Sequence, residues 1–267
     1  MDPLLISDTE FAQFQRFVRA ATGISLSAAK KAMVSGRLMK RIKHYDLPSY
    51  GAYFKLLQSG RAAAETQTAI DLLTTNETQF FREPKHFEFL RRVLAQRTSG
   101  ATLRVWSAAC SSGEEPYSIA MLLADSLGQG RWEIVASDIS TRVLEKARNG
   151  HYPIDRAGPI PPGYLHDYCL KGVGERAGLF SIDHRLRERV RFVSINLNAP
   201  IPAMGEFDVV FLRNVMIYFD AQTKGEVVQR VLTAVRPGGH LVIGHSESLH
   251  GINPQVAMVQ PSVYRRA

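Results

Sequence analysis

Glu114 and Glu115 stand side by side directly after Ser111-Ser112-Gly113. The run before them, Leu103-Arg104-Val105-Trp106-Ser107-Ala108, reads as a buried strand. The run after them, Pro116 to Leu127, reads as a helix with proline at its permitted first position. A glycine turn between a strand and a helix is where dinucleotide folds hold a pyrophosphate, against backbone amides at the helix N-terminus. Here the G-x-G-x-x-G spacing is missing, and two carboxylates occupy the place of the phosphate. They repel an anion and attract a cation. S-adenosylmethionine has no phosphate and carries a sulfonium and an ammonium, so the charge pattern favours it over a dinucleotide. Plain helix-dipole complementarity competes as an explanation, and at least one of the two glutamates is expected only to cap. Asp138 lies 25 residues beyond Gly113. An acid about 20 residues past such a turn is where these folds bind ribose hydroxyls; the alternative is an Asp that caps the next helix.

These groups need a scaffold that brings strand ends together. Further strands read over Trp132–Ser137, Val190–Ile195, Phe207–Leu212 and His240–Gly244, and helices over Thr141–Asn149 and 221–235, the last ending in the turn Arg236-Pro237-Gly238-Gly239. Alternation of strands with helices implies an α/β fold with a doubly wound, mostly parallel sheet. Ligands bind outside the carboxyl ends of such strands. The groups there are 111–116, Asp138, Asn196-Leu197, Arg213-Asn214 and then Tyr218, and they are expected to converge on one crevice. The stretch 151–189 breaks the rhythm and is too long for a simple connection, so it reads as a small inserted subdomain. Within it, Lys171 to Phe180 reads as a loop followed by an edge strand.

Residues 7–75 show no strand pattern and read as a small helical domain. Ser7 with Glu10 forms a capping-box signature, Phe11, Phe14, Phe17 and Val18 share a face, and Gly23 ends the first helix. A second helix, about Ser27 to Tyr45, places Val34, Leu38, Ile42 and Tyr45 on its apolar side and basic residues over much of the rest. Further helices are expected over 49–59 and 62–74. The domains are therefore 1–75 and 76–267, the latter with the insertion at about 151–189. The segment Asn76 to Pro84 between them mixes hydrogen-bonding side chains, Arg82, and Phe80 and Phe81, which are expected to plug the domain interface.

The chain has 267 residues and a formal net charge of +8. Ten Lys/Arg against six Asp/Glu put half of that excess in the first 75 residues, which suits an acidic partner. No apolar run reaches the roughly 20 residues of a membrane span, and Met1-Asp2-Pro3-Leu4-Leu5 lacks a basic signal-peptide start. The two cysteines, Cys110 and Cys169, form neither ligand spacing nor a disulfide framework, so a cytoplasmic location is expected. Cys110 is expected to be a small buried residue. The histidines show no ligand spacing and no metal is expected; His240 and His245 read as structural.

Several longer motifs now carry a resemblance. They are Asn76-x-Thr78-x-Phe80-Phe81-Arg82, Val105-Trp106-Ser107-Ala108-Ala109, Ser112-Gly113-Glu114-Glu115-Pro116-Tyr117-Ser118, Ala136-Ser137-Asp138-Ile139, Arg213-Asn214-Val215-Met216-Ile217-Tyr218-Phe219 and His245-Ser246-Glu247-Ser248. In that order, and nearly end to end, the chain resembles the CheR family of chemotaxis-receptor glutamate methyltransferases. The resemblance implies a class I, Rossmann-like methyltransferase domain, with a small all-helical N-terminal domain and a small inserted β-subdomain. It implies methyl transfer from S-adenosylmethionine to glutamate side chains on the cytoplasmic helices of membrane chemoreceptors, with S-adenosylhomocysteine as product.

Carried over by motif, the cofactor-binding positions are Asn76, Thr78, Arg82, Glu115, Asp138, Asn196, Leu197, Arg213 and Asn214. Asp138 would take the ribose, Asn196 the adenine edge and Glu115 the methionine portion or its surroundings. Arg82 and Tyr218 would lie near the transferred methyl, as the catalytic pair. Lys30, Arg37, Lys40, Arg41 and Lys43 would dock an acidic receptor helix, against the plainer reading of a solvated face. In some family members the inserted subdomain binds a pentapeptide at the receptor C-terminus as an added strand. The protein would then be cytoplasmic, recruited to receptor arrays without membrane insertion. Two other readings compete: an RNA methyltransferase, and a non-catalytic module that senses the cofactor. The first is disfavoured because Tyr45 is the only aromatic among the basic residues 27–45, so no nucleic-acid partner is expected. Arg82 and Tyr218 weigh against the second.

Overall fold

The Ser7 hydroxyl accepts the Glu10 amide at 3.2 Å while the Glu10 carboxylate accepts the Ser7 amide at 2.9 Å. This reciprocal box starts helix α1 (Asp8–Thr22), and Gly23, at φ 78°, ends it in the left-handed conformation. The computed structural model describes residues 4–60, 62–97, 100–128, 130–252 and 255–267. Met1 to Pro3 of the leader reading and Arg61 of the basic count lie outside the described residues.

The chain divides into two compact units, Met1–Thr75 with Tyr218–Lys224, and Asn76–Ile217 with Gly225–Ala267. The first holds α1, α2 (Lys31–His44), α3 (Tyr50–Gln58) and α4 (Ala63–Leu73). Their core is Phe11, Phe14, Val18, Val34, Leu38, Ile42, Tyr50, Tyr53 and Leu73. Tyr45, expected on the apolar side of α2, is 39% exposed, because its hydroxyl reaches Glu65 at 3.1 Å instead. The segment 218–224 joins this unit through specific bonds. Ile24 bridges Phe219, the Ser25 amide donates to the Tyr218 carbonyl at 2.8 Å, and Arg19 pairs with Asp220 at 2.5 Å.

The second unit runs α5 (Lys85–Ala95), β1 (Leu103–Ser107), α6 (Glu114–Leu127), β2 (Trp132–Asp138), α7 (Thr141–Asn149), β3 (His151–Pro153), α8 (Pro162–Tyr168), β4 (Cys169–Lys171), β5 (Leu179–Ile182), α9 (His184–Arg187), β6 (Val190–Ser194), β7 (Phe207–Leu212), α10 (Ala221–Thr233), β8 (Val235–Ile243), β9 (Val256–Gln260) and β10 (Val263–Arg266); the first four residues of α10 cluster with the other unit. Its main sheet has the order β6-β2-β1-β7-β8-β10-β9. The first five strands pair in parallel, and β10 enters antiparallel between β8 and β9. Strand order reverses between β1 and β7, the switch point where such sheets open a crevice. Central β7 is buried at every position, as a strand covered on both faces must be.

Three differences from the sequence reading have local causes. Helix α6 starts at Glu114, so Pro116 is its third residue, still inside the first turn where an amide has no intrahelical acceptor. Strand β8 begins at Val235 and runs through Pro237-Gly238-Gly239, where the β7 pairing shifts register between Phe207 and Val209. The inserted sheet has the order β3-β5-β4, so the strand after the 172–178 loop is central rather than an edge. Its open edges are β3 and β4.

Candidate functional site

Strands β1, β2, β6, β7 and β8 are parallel, so their carboxyl ends lie on one edge of the sheet. The loop after β1 is tied to its neighbours by backbone bonds. The Ala108 amide donates to the Phe211 carbonyl and the Cys110 amide to the Ser137 carbonyl, both at 2.8 Å. Ser111, at φ 50°, donates its amide to Asp138 Oδ2 at 2.9 Å and its hydroxyl to the Asn76 carbonyl at 2.8 Å. The other Asp138 oxygen accepts the Ser140 amide at 2.9 Å. Asp138 therefore ties the loop after β1 to the segment that leads into α7.

Gly113 sits at φ 98°, and a Cβ there would come within 2.8 Å of the Tyr152 hydroxyl and 2.9 Å of Ala147 Cβ. Only glycine fits this turn. Tyr152 itself donates to the Ser112 carbonyl at 2.7 Å, which fastens the inserted sheet to the loop. Cys110 is buried beneath, and burial with the nearby Asp138 and Glu115 carboxylates raises its pKa, so the thiol stays protonated and inert.

The two adjacent glutamates separate in role. Glu114 is buried, accepts the Ser112 hydroxyl at 2.7 Å, and has Arg156 at 3.7 Å; burial raises its pKa. Glu115 accepts the Ser107 hydroxyl at 2.6 Å and pairs with Arg213 at 2.8 Å. Arg213, whose side chain is 2% exposed, also pairs with Glu83 at 3.1 Å and donates to the Arg82 carbonyl at 2.5 Å. Glu83 in turn accepts the Asn214 side-chain amide at 3.1 Å and the His245 amide at 3.2 Å. Burial alone would raise the Glu83 pKa, but Arg213 and Asn214 outweigh it and hold the carboxyl below its ordinary range. One buried arginine thus ties the end of β7 to the first turn of α6 and to the segment before α5.

A second buried carboxylate does similar work after β8. Glu247 accepts the amides of Gly244 at 2.7 Å, Met216 at 2.8 Å and Asn214 at 3.0 Å. Burial still raises its pKa. Asn214 is in the left-handed region at φ 56°, and a Cβ on Gly244 would meet its side-chain nitrogen at 2.6 Å.

The segment 76–84 lies across these ends. Phe80 is fully buried against Tyr152 and Phe180, and Phe81 packs on Phe87 and Tyr164. The two phenylalanines plug the seam between the α/β core and the inserted sheet within the second unit. Phe81 and Glu83 adopt φ 50° and 61°, so Arg82 is presented from a strained backbone. Its guanidinium donates to the Glu77 carbonyl at 3.2 Å. Arg156 donates to the Thr78 carbonyl at 3.0 Å. The Asn76 side-chain oxygen is buried with no hydrogen-bond partner, an acceptor left open at this end of the sheet. Asn196 accepts the Asn198 amide at 2.9 Å, and the Leu197 carbonyl accepts Arg230 at 2.7 Å.

Of the positions singled out from sequence, Asn76 and Asp138 are linked through Ser111; Arg82, Glu115 and Asn214 are linked through Arg213 and Glu83; Thr78 is linked to Glu114 through Arg156; and Asn196 and Leu197 follow β6 on the same edge. Tyr218 clusters with the helical unit through its carbonyl. Sequence reasoning missed Glu83, Glu247 and Arg156 as organisers. Glu83 directly follows Arg82, and Glu247 lies in the quoted His245-Ser246-Glu247-Ser248, but nothing local marks their distant partners. His86 reads from sequence only as a histidine without ligand spacing. It is fully buried, with Nδ1 3.3 Å from Glu83 in poor hydrogen-bond geometry, and its ring packs edge-on to His245 at 4.7 Å. Burial and Arg213 push its pKa down to about 4. Glu83, His86 and His245 bring ligand-type atoms within 4.8 Å of one another, but the carboxylate a cation would need already neutralises Arg213.

In the helical unit the basic residues also separate. Arg41 pairs with buried Glu65 at 2.5 Å, and Arg37 donates to the carbonyls of Leu72 and Thr74 at 3.1 and 2.8 Å. Lys30, Lys40 and Lys43 are exposed.

A parallel sheet with a switch point, a glycine turn and an open buried acceptor at Asn76 suit a nucleoside cofactor, whereas the charges of Glu114 and Glu115, read from sequence as attracting a cation, are taken up by Arg156 and Arg213. The comparison with known families agrees: residues 76–265 match the description "CheR methyltransferase, SAM binding domain", and residues 9–74 match "CheR methyltransferase, all-alpha domain". The larger unit is an S-adenosylmethionine-binding methyltransferase domain. The chain belongs to the CheR methyltransferase family. The "Chemotaxis protein methyltransferase" of Escherichia coli K12 is 42% identical over 264 residues, covering 98% of this chain and 92% of the relative. The "Chemotaxis protein methyltransferase 2" of Pseudomonas aeruginosa PAO1 is 41% identical over 265 residues, covering 97% and 93%. No helix among the described residues is long and apolar enough to cross a membrane.

Proposed function

We propose that this methyltransferase forms methyl esters on glutamate side chains of membrane chemoreceptors, on their cytoplasmic helices, as part of chemotaxis. The observation that carries the reading is similarity through both parts of the chain, at 42% identity and 98% coverage, to a chemotaxis protein methyltransferase. The site chemistry supports a carboxylate acceptor. A glutamate has a pKa near 4.3 and is already ionised at neutral pH, so no general base is required. The acidic groups between Arg82 and the loop after β1 are spent on structure: Glu83 and Glu115 on Arg213, Glu114 on Ser112 and Arg156.

When bound, S-adenosylmethionine supplies an electrophilic methyl on a sulfonium. Asn76, Thr78, Arg82, Glu115, Asp138, Asn196, Leu197, Arg213 and Asn214 would hold it, with Asp138 at the ribose and Asn196 at the adenine edge. The protein's task is to place the acceptor oxygen about 3–3.5 Å from the methyl and in line with it. Anion meets cation in this reaction, so charge is neutralised on the way to the transition state. A tight cationic clamp on the acceptor would stabilise the ground state more and slow the step. Arg82 and Tyr218 accordingly orient rather than activate. A strained backbone and a carbonyl held by buried Arg213 fix where Arg82 starts from.

Exposed Lys30, Lys40 and Lys43 supply the charge for docking an acidic helix, while Arg37 and Arg41 maintain the fold of the unit that carries them. A receptor-tail pentapeptide would add as a strand at the inserted sheet, where β4 offers an open edge beside Leu170, 57% exposed. The protein would then work in the cytoplasm at receptor arrays. Labelled methyl transfer to receptor-containing membranes, to RNA, or to neither tests the reading. Transfer to the membranes is expected; transfer to RNA alone, or to nothing while cofactor binds, would contradict it.

A further inference from the structure

A groove of about 400 Å³ is lined by Lys85, Glu88, Arg92, His245, Gln260 and Ser262, with Pro261 between the last two. Its position follows from the sheet. His245 lies two residues past the end of β8, and Ser262 immediately precedes β10, whose Val263 pairs with Val242 of β8. Lys85 lies three residues after Arg82 at the start of α5. The groove therefore opens at the carboxyl edge of the sheet, continuous with the segment that presents Arg82.

Its chemistry is cationic. Lys85, Glu88 and Arg92 share one face of α5 by their spacing and are exposed. Two permanent positive charges stand against one negative, with the half-exposed His245 imidazole beside them. Glu83 beneath does not offset this charge, because it is spent on Arg213. On the sheet-edge strand β9, which ends at the groove residue Gln260, Met258 and Val259 are 65% and 52% exposed. Such isolated exposed apolar residues need no explanation; the excess of positive charge in the groove is what matches an acidic segment.

We infer that this groove receives the acidic helix that carries the acceptor glutamate, with Lys85 and Arg92 reading acidic side chains that flank the acceptor. The inference rests on the glutamate-methylating reading above and adds a second docking surface, on the methyltransferase domain itself. It assigns Lys85 and Arg92 a role in substrate selection and none in cofactor binding.

The test uses the full chain and a fluorescent helical peptide with glutamates at i, i+3 and i+7, read by anisotropy in the presence of S-adenosylhomocysteine. Lys85→Glu/Arg92→Glu is expected to weaken peptide binding about tenfold or more, and Lys85→Gln about threefold, with wild-type binding itself weakening as salt rises. Affinity for S-adenosylhomocysteine stays unchanged in both variants. A peptide with lysines at the same positions is expected to bind the double variant and not the wild type, an exchange that a merely misfolded variant would not show. Equal glutamate-peptide binding by wild type and both variants, or no binding by wild type, would overturn the groove. Methyl transfer is measured separately on receptor membranes: its absence in the wild type strikes at the acceptor assignment, whereas unchanged peptide binding strikes only at the groove.

Discussion

Arg213→Leu removes the one guanidinium that neutralises both Glu83 and Glu115. In the wild type these carboxylates are 14% and 11% exposed, and Arg213 reaches them at 3.1 and 2.8 Å. Taking one partner from a buried ion pair costs about 3–5 kcal/mol, because the remaining charge is left uncompensated. At about 2–4 °C per kcal/mol for a domain of this size, the melting point should fall by about 10 °C. The chain's two tryptophans, Trp106 and Trp132, both lie in the methyltransferase unit, so their fluorescence follows that unit alone. The pH dependence provides a second check. Arg213 holds the Glu83 pKa below its ordinary value of 4.5. A depressed carboxyl contributes stability that is present above the unfolded pKa and is lost as pH falls through the folded one. The gap between wild type and variant should therefore be widest near pH 7.5 and shrink below pH of about 4.5, where the unfolded carboxyl binds its proton. A loss under about 1 kcal/mol at pH 7.5, or an equal loss at both pH values, would refute the reasoning.

Two further perturbations follow from the same geometry. Gly113→Ala puts a Cβ 2.8 Å from the Tyr152 hydroxyl at a backbone φ of 98°. Because the turn must shift, affinity for S-adenosylhomocysteine by calorimetry should drop at least about tenfold; unchanged affinity would detach this turn from the cofactor. Glu65→Gln in the helical unit leaves Arg41, Tyr53 and Tyr45 facing a neutral amide. Burial alone would raise the Glu65 pKa, but hydrogen bonds from Arg41 and the two tyrosines outweigh it and lower it. Denaturant titration should show a loss of about 2–4 kcal/mol at neutral pH. That loss should fade as pH drops below 4.5, and a loss that persists undiminished there would contradict the assigned charge state.

Local physics made much of this fold legible, and long-range pairing hid the rest. The capping box at Ser7, the helix 141–149 and the strand 207–212 all follow from neighbouring residues, and the structure reproduces each. The grouping of strand ends was readable because such ends in a parallel sheet share one edge, which collects residues far apart in sequence without knowledge of their contacts. Strands β9 and β10 went unread: each is short, and their pairing is set by β8 rather than by an alternating pattern of their own. The roles of Glu83 and Glu247 were invisible for a similar reason, since their partners lie 131 and 33 residues away. Arg37 and Arg41 looked like part of a solvated basic stripe, because helix periodicity records which side faces outward but not that Glu65 and two carbonyls wait on that side.

The central claim, that the acceptor oxygen is a glutamate carboxylate, is tested most directly by the stability of the bond the protein makes. Receptor-containing membranes labelled with methyl from S-adenosylmethionine are digested and treated with mild alkali. A methyl ester releases its label as volatile methanol, and the mass of one methyl maps to glutamate. That is the result predicted here. Label that survives alkali, or that maps to a nitrogen or to RNA, would contradict it.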